Sequence, residues 1–290
     1  MLINKIRNRI RIHTYKTKYT LRMFWYRLLM KAGKFDNNNS IEKLVFDDEW
    51  EYRIQIALKS EYNSFIPRVA GAGNIDHGFQ TMHNGLQVST GDYYGLPISK
   101  MLYMNKGVHE PEEEKMFLDT ITRMPANPVM IEMGSFWAFY SMWFLKATTN
   151  GTVYMIEPEK ENLRIGEKNF KKNNLIPSFD NYFIGKKSSA EGNTPVICLD
   201  DYIDKKKISH INIAHADIQG FESELLEGAS KCLQLRMIDY FFVSTHTNEL
   251  HYHCMNNLIE HGYKVVFHVD LTKAASFDGF ILAISPDIHW

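Results

Sequence analysis

The sequence has few cysteines and no long apolar run. Its three cysteines among 290 residues are widely spaced and include no CxxC pair. This pattern predicts neither a disulfide framework nor a zinc site, and it favours a reducing compartment. No stretch approaches the roughly 18 apolar residues of a membrane span, and Arg22 and Arg27 interrupt the apolar segment 21–30, which argues against a signal peptide. We therefore expect a soluble, cytoplasmic protein.

Acidic residues are missing from the first 34 residues, a segment that contains ten Lys or Arg. The whole chain nevertheless has a formal net charge of only -1, so the remainder is acidic. We interpret residues 1–35 as a basic, helical N-terminal arm. Three roles stay open for it: a solvated or homo-oligomerising helix, a peripheral contact with an anionic membrane or membrane-bound glycolipid, and a contact with nucleic acid. The first is favoured because the apolar stripe of the arm is short.

Two regions follow the arm. Residues 36–108 are predicted to form an extension of helices and loops, which either caps the active site or packs at the periphery. In residues 109–290, short apolar runs alternate with helical patterns, including a helix over Phe136–Lys146 and a third strand over Tyr182–Ile184. Such alternation is typical of an α/β fold in which helices cover both faces of a mostly parallel, Rossmann-like sheet.

The first strand of this domain ends at Glu132 and is followed closely by Gly134. A glycine here permits a tight turn and a close approach of the backbone to a ligand. Dinucleotide-binding turns have a second glycine where this sequence has Phe136, whose side chain would keep a pyrophosphate away from the backbone. The turn, with Ser135 and Ser141, therefore favours a smaller ligand such as adenosylmethionine. A plain strand-to-helix turn with an incidental acid is the alternative.

The second strand ends at Glu157, which is followed by Pro158. An acid about 20 residues after the glycine turn is where the ribose hydroxyls of a nucleoside are bound. A carboxylate suits this role because it only accepts hydrogen bonds. The alternative is an acid at a helix N-terminus, a description that fits Glu159 better. Together the two motifs favour a bound nucleoside.

The fourth strand, Ile211–Ala216, is buried and precedes Asp217, and Glu222 follows before the next helix. Ligands of open α/β sheets bind beyond the carboxyl ends of the strands, so Asp217 should share a crevice with Glu132 and Glu157. The fifth strand brings His246 to the same edge. A lone histidine is usually a satisfied loop residue, but this position makes a functional role equally plausible.

These segments resemble the FkbM-like family of S-adenosylmethionine-dependent methyltransferases. That family has an acid-x-Gly turn, a Glu-Pro pair after the second strand, a Leu-Asp-Asp segment, and Lys-x-Asp-x-x-Gly-x-Glu continuing to Leu-x-Gly-Ala. The corresponding segments here are Glu132–Gly134, Glu157–Pro158, Leu199–Asp201, Asp217–Glu222 and Leu226–Ala229. The resemblance extends from Glu110 to about Leu282.

The resemblance implies a class I methyltransferase fold with a seven-stranded sheet, and S-adenosyl-L-methionine as the methyl donor. It also implies a hydroxyl acceptor on a sugar, a glycan or a similar natural product. Two residues depart from the family pattern. His215 stands where the family usually has lysine, which puts any inherited role of that side chain in doubt. Ala138 replaces the usual third glycine, although alanine is still small enough for close helix–strand packing.

Methyl transfer to oxygen is an in-line displacement that also requires removal of the hydroxyl proton. His246 is our first choice for the general base and His215 the second, while Asp217 could orient the base or accept the proton itself. Alternatively, Asp217, Glu222 and His246 could ligate Mg²⁺ or Mn²⁺, which would acidify the hydroxyl. Spacing leaves this open, because Glu222 could equally be an acid in the first turn of a helix.

Two rival functions are a nucleotide-dependent oxidoreductase on a related fold, and a degenerate methyltransferase domain that acts as a binding module. Phe136 argues against the first, and the retained acids and glycine argue against the second. Nucleic-acid methylation is disfavoured because the chain lacks the Asn-Pro-Pro-Tyr and Asp-Pro-Pro-Tyr segments of amino-methylating enzymes, and because its body is acidic.

Overall fold

The computed structural model describes residues 37–290, and the basic arm expected over residues 1–35 lies outside the described residues. The first part of the described chain contains three helices, a 3₁₀ turn and a small antiparallel sheet. These elements are α1 (Asn37–Glu42), α2 (Asp48–Lys59), the 3₁₀ turn (Glu61–Phe65), β1 (Ile75–Asp76), β2 (Phe79–Thr81), β3 (Gln87–Ser89) and α3 (Leu96–Met104).

Strands and helices alternate through most of the remaining chain. The elements are α4 (Pro111–Ile121), β4 (Val129–Met133), α5 (Phe139–Ala147), β5 (Thr152–Ile156), α6 (Lys160–Lys172), β6 (Phe179–Asp180), β7 (Phe183–Ile184), β8 (Val196–Ile197), α7 (Leu199–Lys206), β9 (Ile211–Ala216), α8 (Glu222–Glu227), α9 (Ser230–Gln234), β10 (Ile238–Thr245), α10 (Asn248–Glu260), β11 (Lys264–Val269) and β12 (Gly279–Ile284). No helix within residues 37–290 is long and apolar enough to cross a membrane.

Seven strands form the central sheet in the order β11-β12-β10-β9-β4-β5-β6. Strands β10, β9, β4, β5 and β6 are parallel, and β12 is antiparallel to both of its neighbours. The predicted seven-stranded, mostly parallel, Rossmann-like sheet is confirmed. The chain leaves β4 toward β5 on one side and returns to β9 on the other, so the strand order reverses between β4 and β9. A ligand crevice is expected beyond the carboxyl ends of strands at such a switch point.

The faces of the sheet are covered by different helices. On β10, Tyr240 and Phe242 pack in a cluster that includes residues of α4, α5 and α6, whereas Phe241 and Val243 pack in one that includes residues of α7 to α10. Neighbouring residues reach opposite faces because side chains alternate along a strand. The expectation of helices on both faces is therefore confirmed.

Two local predictions were wrong in their boundaries. The helix after the glycine turn begins at Phe139, because Phe136 and Ala138 have left-handed φ angles of 39° and 60° that a helix does not tolerate. The third strand expected over Tyr182–Ile184 corresponds to β7, which pairs with β8 outside the central sheet, whereas the preceding β6 joins that sheet. Runs of two or three apolar residues do not specify their pairing partner, so the sequence could not distinguish these arrangements.

Candidate active site

A cavity of about 1230 Å³ lies at the carboxyl ends of β4, β5 and β9. The wall includes all three strand-end acids that the sequence singled out, Glu132, Glu157 and Asp217. The other expected site residues on the wall are Gly134, Ser135, Phe136, Pro158 and His215. Asp47, Glu49, Trp50 and residues 91–95 of the extension also line the cavity, so the segment that was expected either to cap the site or to pack peripherally borders it.

The turn after β4 holds three strand ends together. Backbone N–H groups of Gly134 and Ser135 donate to the Ile156 carbonyl at 2.9 and 3.2 Å, and Asp217 N donates to the Met133 carbonyl at 3.0 Å. Gly134 has φ +77°, and a Cβ built on it would lie 1.8 Å from the carbonyl oxygen of Asp217. Glycine is therefore required both by the backbone angle and by the close approach of the next strand.

Phe136 has a left-handed φ angle, which glycine adopts more readily than other residues. Its N–H donates to Glu157 Oε2 at 3.1 Å. Its ring makes edge contacts with Tyr93 and Tyr94 of the extension, at centroid distances of 5.0 and 5.6 Å. A left-handed angle at such a residue costs on the order of 1–3 kcal/mol and persists only where surrounding contacts hold it. The aromatic contacts and the Glu157 bond supply that restraint.

Glu157 connects the glycine turn to the start of α6. Its Oε1 accepts from Glu159 N at 2.9 Å and from Asn162 Nδ2 at 3.2 Å, while Oε2 binds Phe136 N. Burial raises the pKa of Glu157, and these N–H donors oppose that rise. Glu159 is the N-cap residue of α6, as considered above, but its side chain makes no capping hydrogen bond, whereas the Glu157 carboxylate joins the helix start to the glycine turn.

Glu132 is buried beside the start of α5. Its Oε2 accepts from Ser141 N at 3.2 Å, and burial raises the pKa of its carboxyl to about 7. The residue opposite it in the β4–β9 register is His215. Ser141 is fully buried and is not among the residues that line the cavity, so its contact with the site is through Glu132.

A dyad that the sequence did not reveal supports His215. Glu113 Oε1 lies 2.5 Å from His215 Nε2, and Glu113 Oε2 accepts from Ser244 Oγ at 2.9 Å. Burial opposes protonation of His215, but the charge of Glu113 outweighs it, and the pKa of His215 is raised. His215 Nδ1 is buried without a hydrogen-bond partner. The sequence did contain an indication that Glu113 is buried, because Glu113 lies one turn before Phe117 and so shares the buried face of α4.

His109 is a second site residue that the sequence did not single out. Its Nδ1 lies 2.6 Å from Glu114 Oε1 and its Nε2 lies 2.9 Å from Glu110 Oε2. Burial favours the neutral ring, but the two carboxylates prevail and raise the pKa of His109 to about 10. Tyr140 also donates to Glu110 Oε2, at 3.0 Å. The acids at the start of α4 therefore take part in a buried ionic network.

His246 lies among three carboxylates. Its Nδ1 is 3.0 Å from Glu222 Oε1, and its Nε2 is 3.2 Å from Asp217 Oδ1 and 3.6 Å from Asp278 Oδ1. Burial opposes protonation, but Asp217 and Glu222 raise the pKa of His246 to about 10. The ring is therefore cationic at neutral pH. Both of its nitrogens face acids, an arrangement that differs from the neutral imidazole expected to accept a proton. His246 is also not among the residues that line the cavity.

The three residues considered as metal ligands do come together, but as an ion-pair network. Within residues 37–290, no group of three or more His, Cys, Asp or Glu side chains could hold a metal ion. The carboxylates of Asp217 and Glu222 face the nitrogens of His246, which leaves no imidazole lone pair directed at a shared centre. Glu222 Oε1 also accepts from Gly220 N at 3.2 Å. The Mg²⁺ or Mn²⁺ site that the sequence left open as an alternative is not supported at these residues.

No family model matches the chain, and no curated protein matches it significantly in sequence. Among solved structures, the METTL16 methyltransferase domain is similar with a TM-score of 0.47 and 13% identity, over 80% of this chain and 91% of that chain. A precorrin-6y C5,15-methyltransferase from Geobacter metallireducens gives 0.40 and 18%, over 59% and 88%. M. capricolum TrmK, solved with S-adenosyl-homocysteine, gives 0.40 and 12%, over 60% and 71%. Because these similarities are low, the fold assignment rests on the strand order described above.

Proposed function

We propose that this protein is an S-adenosyl-L-methionine-dependent methyltransferase. The main support is the joined pair of motifs at the switch point of the sheet, where the N–H of Phe136 in the glycine turn binds the carboxylate of Glu157 on the cavity wall. A glycine turn after the first strand and an acid after the second are what nucleoside recognition on this type of sheet requires.

The residues on the wall fit this donor. Gly134 and Phe136 would border it along the end of β4, and Glu157 with Pro158 would lie at its ribose. Ser135 Oγ and His215 Nδ1 belong to wall residues and are buried, and neither has a hydrogen-bond partner within residues 37–290, so both are available to a polar ligand. The many carboxylates of the wall suit a positively charged sulfonium. When bound, the donor would supply an electrophilic methyl group.

For the acceptor we propose a hydroxyl group on a sugar, a glycan or a related natural product. The aromatic side chains of Trp50, Tyr93 and Tyr94 on the wall offer flat surfaces of the kind that bind sugar rings. Asp217 is our candidate for the proton acceptor, since it lines the cavity and His246 does not. His246 would position Asp217 through the contact of 3.2 Å. His215 is the second candidate, provided that it is neutral when the acceptor is bound.

The charge of the wall weighs against the rival oxidoreductase. No Lys or Arg of residues 37–290 lines the cavity, so the pyrophosphate of a dinucleotide would face carboxylates without a cationic partner. The same argument disfavours a nucleic-acid acceptor, whose affinity would depend on contacts between basic residues and phosphates.

Binding of adenosylhomocysteine tests the proposal. Glu157→Ala should weaken binding by about 1–3 kcal/mol, the usual penalty for unpairing buried polar groups. Glu157→Gln should have a smaller effect, because the amide oxygen can still accept from the turn. Glu167→Gln, an exposed residue near Lys171, is the control. Titration calorimetry that shows wild-type affinity in Glu157→Ala, or tight binding of NAD by the wild type, would refute the assignment.

A further inference from the structure

The cavity wall is strongly acidic: ten Asp or Glu side chains line it, and no Lys or Arg of residues 37–290 does. Ion pairs balance only part of this charge: Lys168 pairs with Asp92 at 2.9 Å, Arg164 with Glu161 at 2.7 Å, and His215 with Glu113 at 2.5 Å. His109 is held between two carboxylates, those of Glu110 and Glu114. The guanidinium of Arg53, which packs on an aromatic ring beside the site, lies within the field of Glu49 and Asp278. His109 and Arg53 therefore each face two acids.

The same excess of acid is found behind Asp217. His246 is the cation there, and it lies within 3.6 Å of Asp217, Glu222 and Asp278. One imidazolium faces three carboxyl groups there, although burial and the charge of Asp217 raise the pKa of Asp278 to about 7. The donor's sulfonium would supply one positive charge along β4 and β5, while at the α4 side of the cavity Glu110 shares the cation of His109 with Glu114.

Aromatic rings border this acidic side. Tyr93 stacks on Trp137 at a centroid distance of 4.1 Å and an interplanar angle of 4°, and Tyr94 makes an edge contact with Phe136. Burial raises the pKa of Tyr94, and the charges of Asp217, Asp278 and Glu110 raise it further. Aromatic faces attract cations, most strongly where water is excluded.

Glu110 has an oxygen available for a ligand. Its contacts with His109 and Tyr140 both use Oε2, and the residue lines the cavity. A second observation points to a polar ligand in the same cavity: His215 Nδ1 and Ser135 Oγ are buried on its wall without partners. Buried polar atoms are rarely left unpaired unless a ligand or ordered water completes them.

We infer that the acceptor carries a protonated amino group, which Glu110 binds against the rings of Tyr94 and Phe136. This inference rests on the proposed methyl transfer and names its acceptor class, an amino sugar or another amino alcohol. The hydroxyl oxygen forms the bond to the methyl carbon as the carbon–sulfur bond breaks. The electron pair of that bond stays on sulfur, the hydroxyl proton goes to the carboxylate of Asp217, and the ammonium group remains unchanged.

The test compares amines with their N-acetyl counterparts, which differ mainly in charge. Glucosamine, galactosamine and 2-deoxystreptamine are titrated into the protein saturated with adenosylhomocysteine, each beside its N-acetylated form and with glucose 6-phosphate as the anionic probe. At least one amine should bind about tenfold more tightly than its N-acetyl form, as expected for a charge-assisted hydrogen bond. The phosphate should bind most weakly. The absence of an amine preference in all three pairs overturns the inference.

One variant distinguishes recognition of the ligand's charge from a general loss of ligand binding. Glu110→Gln keeps an acceptor for Tyr140 but removes the negative charge, so the amine should lose about tenfold in affinity while its N-acetyl form changes little. Glu227→Gln, far along the chain at the end of α8 and beside Lys186, is the control. An equal loss for both ligands in Glu110→Gln would overturn the inference. If adenosylhomocysteine itself fails to bind the wild type, the proposed function fails instead.

Discussion

Gly134 offers a direct test of the geometry that joins the first strand to Asp217. Gly134→Ala introduces a Cβ at φ +77°, only 1.8 Å from the carbonyl oxygen of Asp217. The left-handed angle alone costs an alanine about 1 kcal/mol. The collision is with backbone, so the ends of β4 and β9 must separate, and overpacking of this kind costs about 1–3 kcal/mol more. We therefore expect Gly134→Ala to lower the free energy of unfolding by about 2–4 kcal/mol.

Gly78→Ala is the matched control, because Gly78 has nearly the same angle, φ +78°, with nothing within 4 Å of its built Cβ. It should lose only the strain of about 1 kcal/mol. Urea unfolding followed by circular dichroism measures both losses, and the difference isolates the close approach. Calorimetry should also show weakened adenosylhomocysteine binding in Gly134→Ala only. Equal destabilisation by the two substitutions would refute the steric argument.

Two predictions concern the buried histidines. In an NMR titration, His246 should stay protonated to about pH 9, consistent with its pKa of about 10, and Asp217→Asn should lower that pKa. A midpoint near 6.5 in the wild type would restore His246 as a candidate base. His109 also has a folded pKa of about 10, above the unfolded value near 6.5, so its contribution to stability is complete below pH 6.5 and is lost as the pH rises toward 10. Since each unit of pKa difference corresponds to about 1.4 kcal/mol, the free energy of unfolding should fall over that interval by roughly 4–5 kcal/mol, and fall less steeply in His109→Gln. Parallel pH profiles for that variant and the wild type would contradict the assignment.

The sequence by itself determined the architecture and one edge of the site. Strand and helix periodicities predicted the parallel sheet, and Gly134 marked the turn where the backbone angle and the neighbouring strand exclude a side chain. Glu132, Glu157 and Asp217 follow three parallel strands, so they had to meet at one edge. These features were predictable because strand direction and turn chemistry are encoded locally.

Only the tertiary structure decided what the site residues do. Glu113 and His215 are 102 positions apart, and their contact depends on how α4 packs on the sheet. His246 was correctly expected near Asp217, but its protonation state depends on three carboxylates, one of which, Asp278, comes from the loop before β12. A pKa reflects burial and the sum of nearby charges, and neither can be read from a local motif. For the same reason, the acidic character of the cavity emerged only when the extension, α4 and the strand ends were brought together.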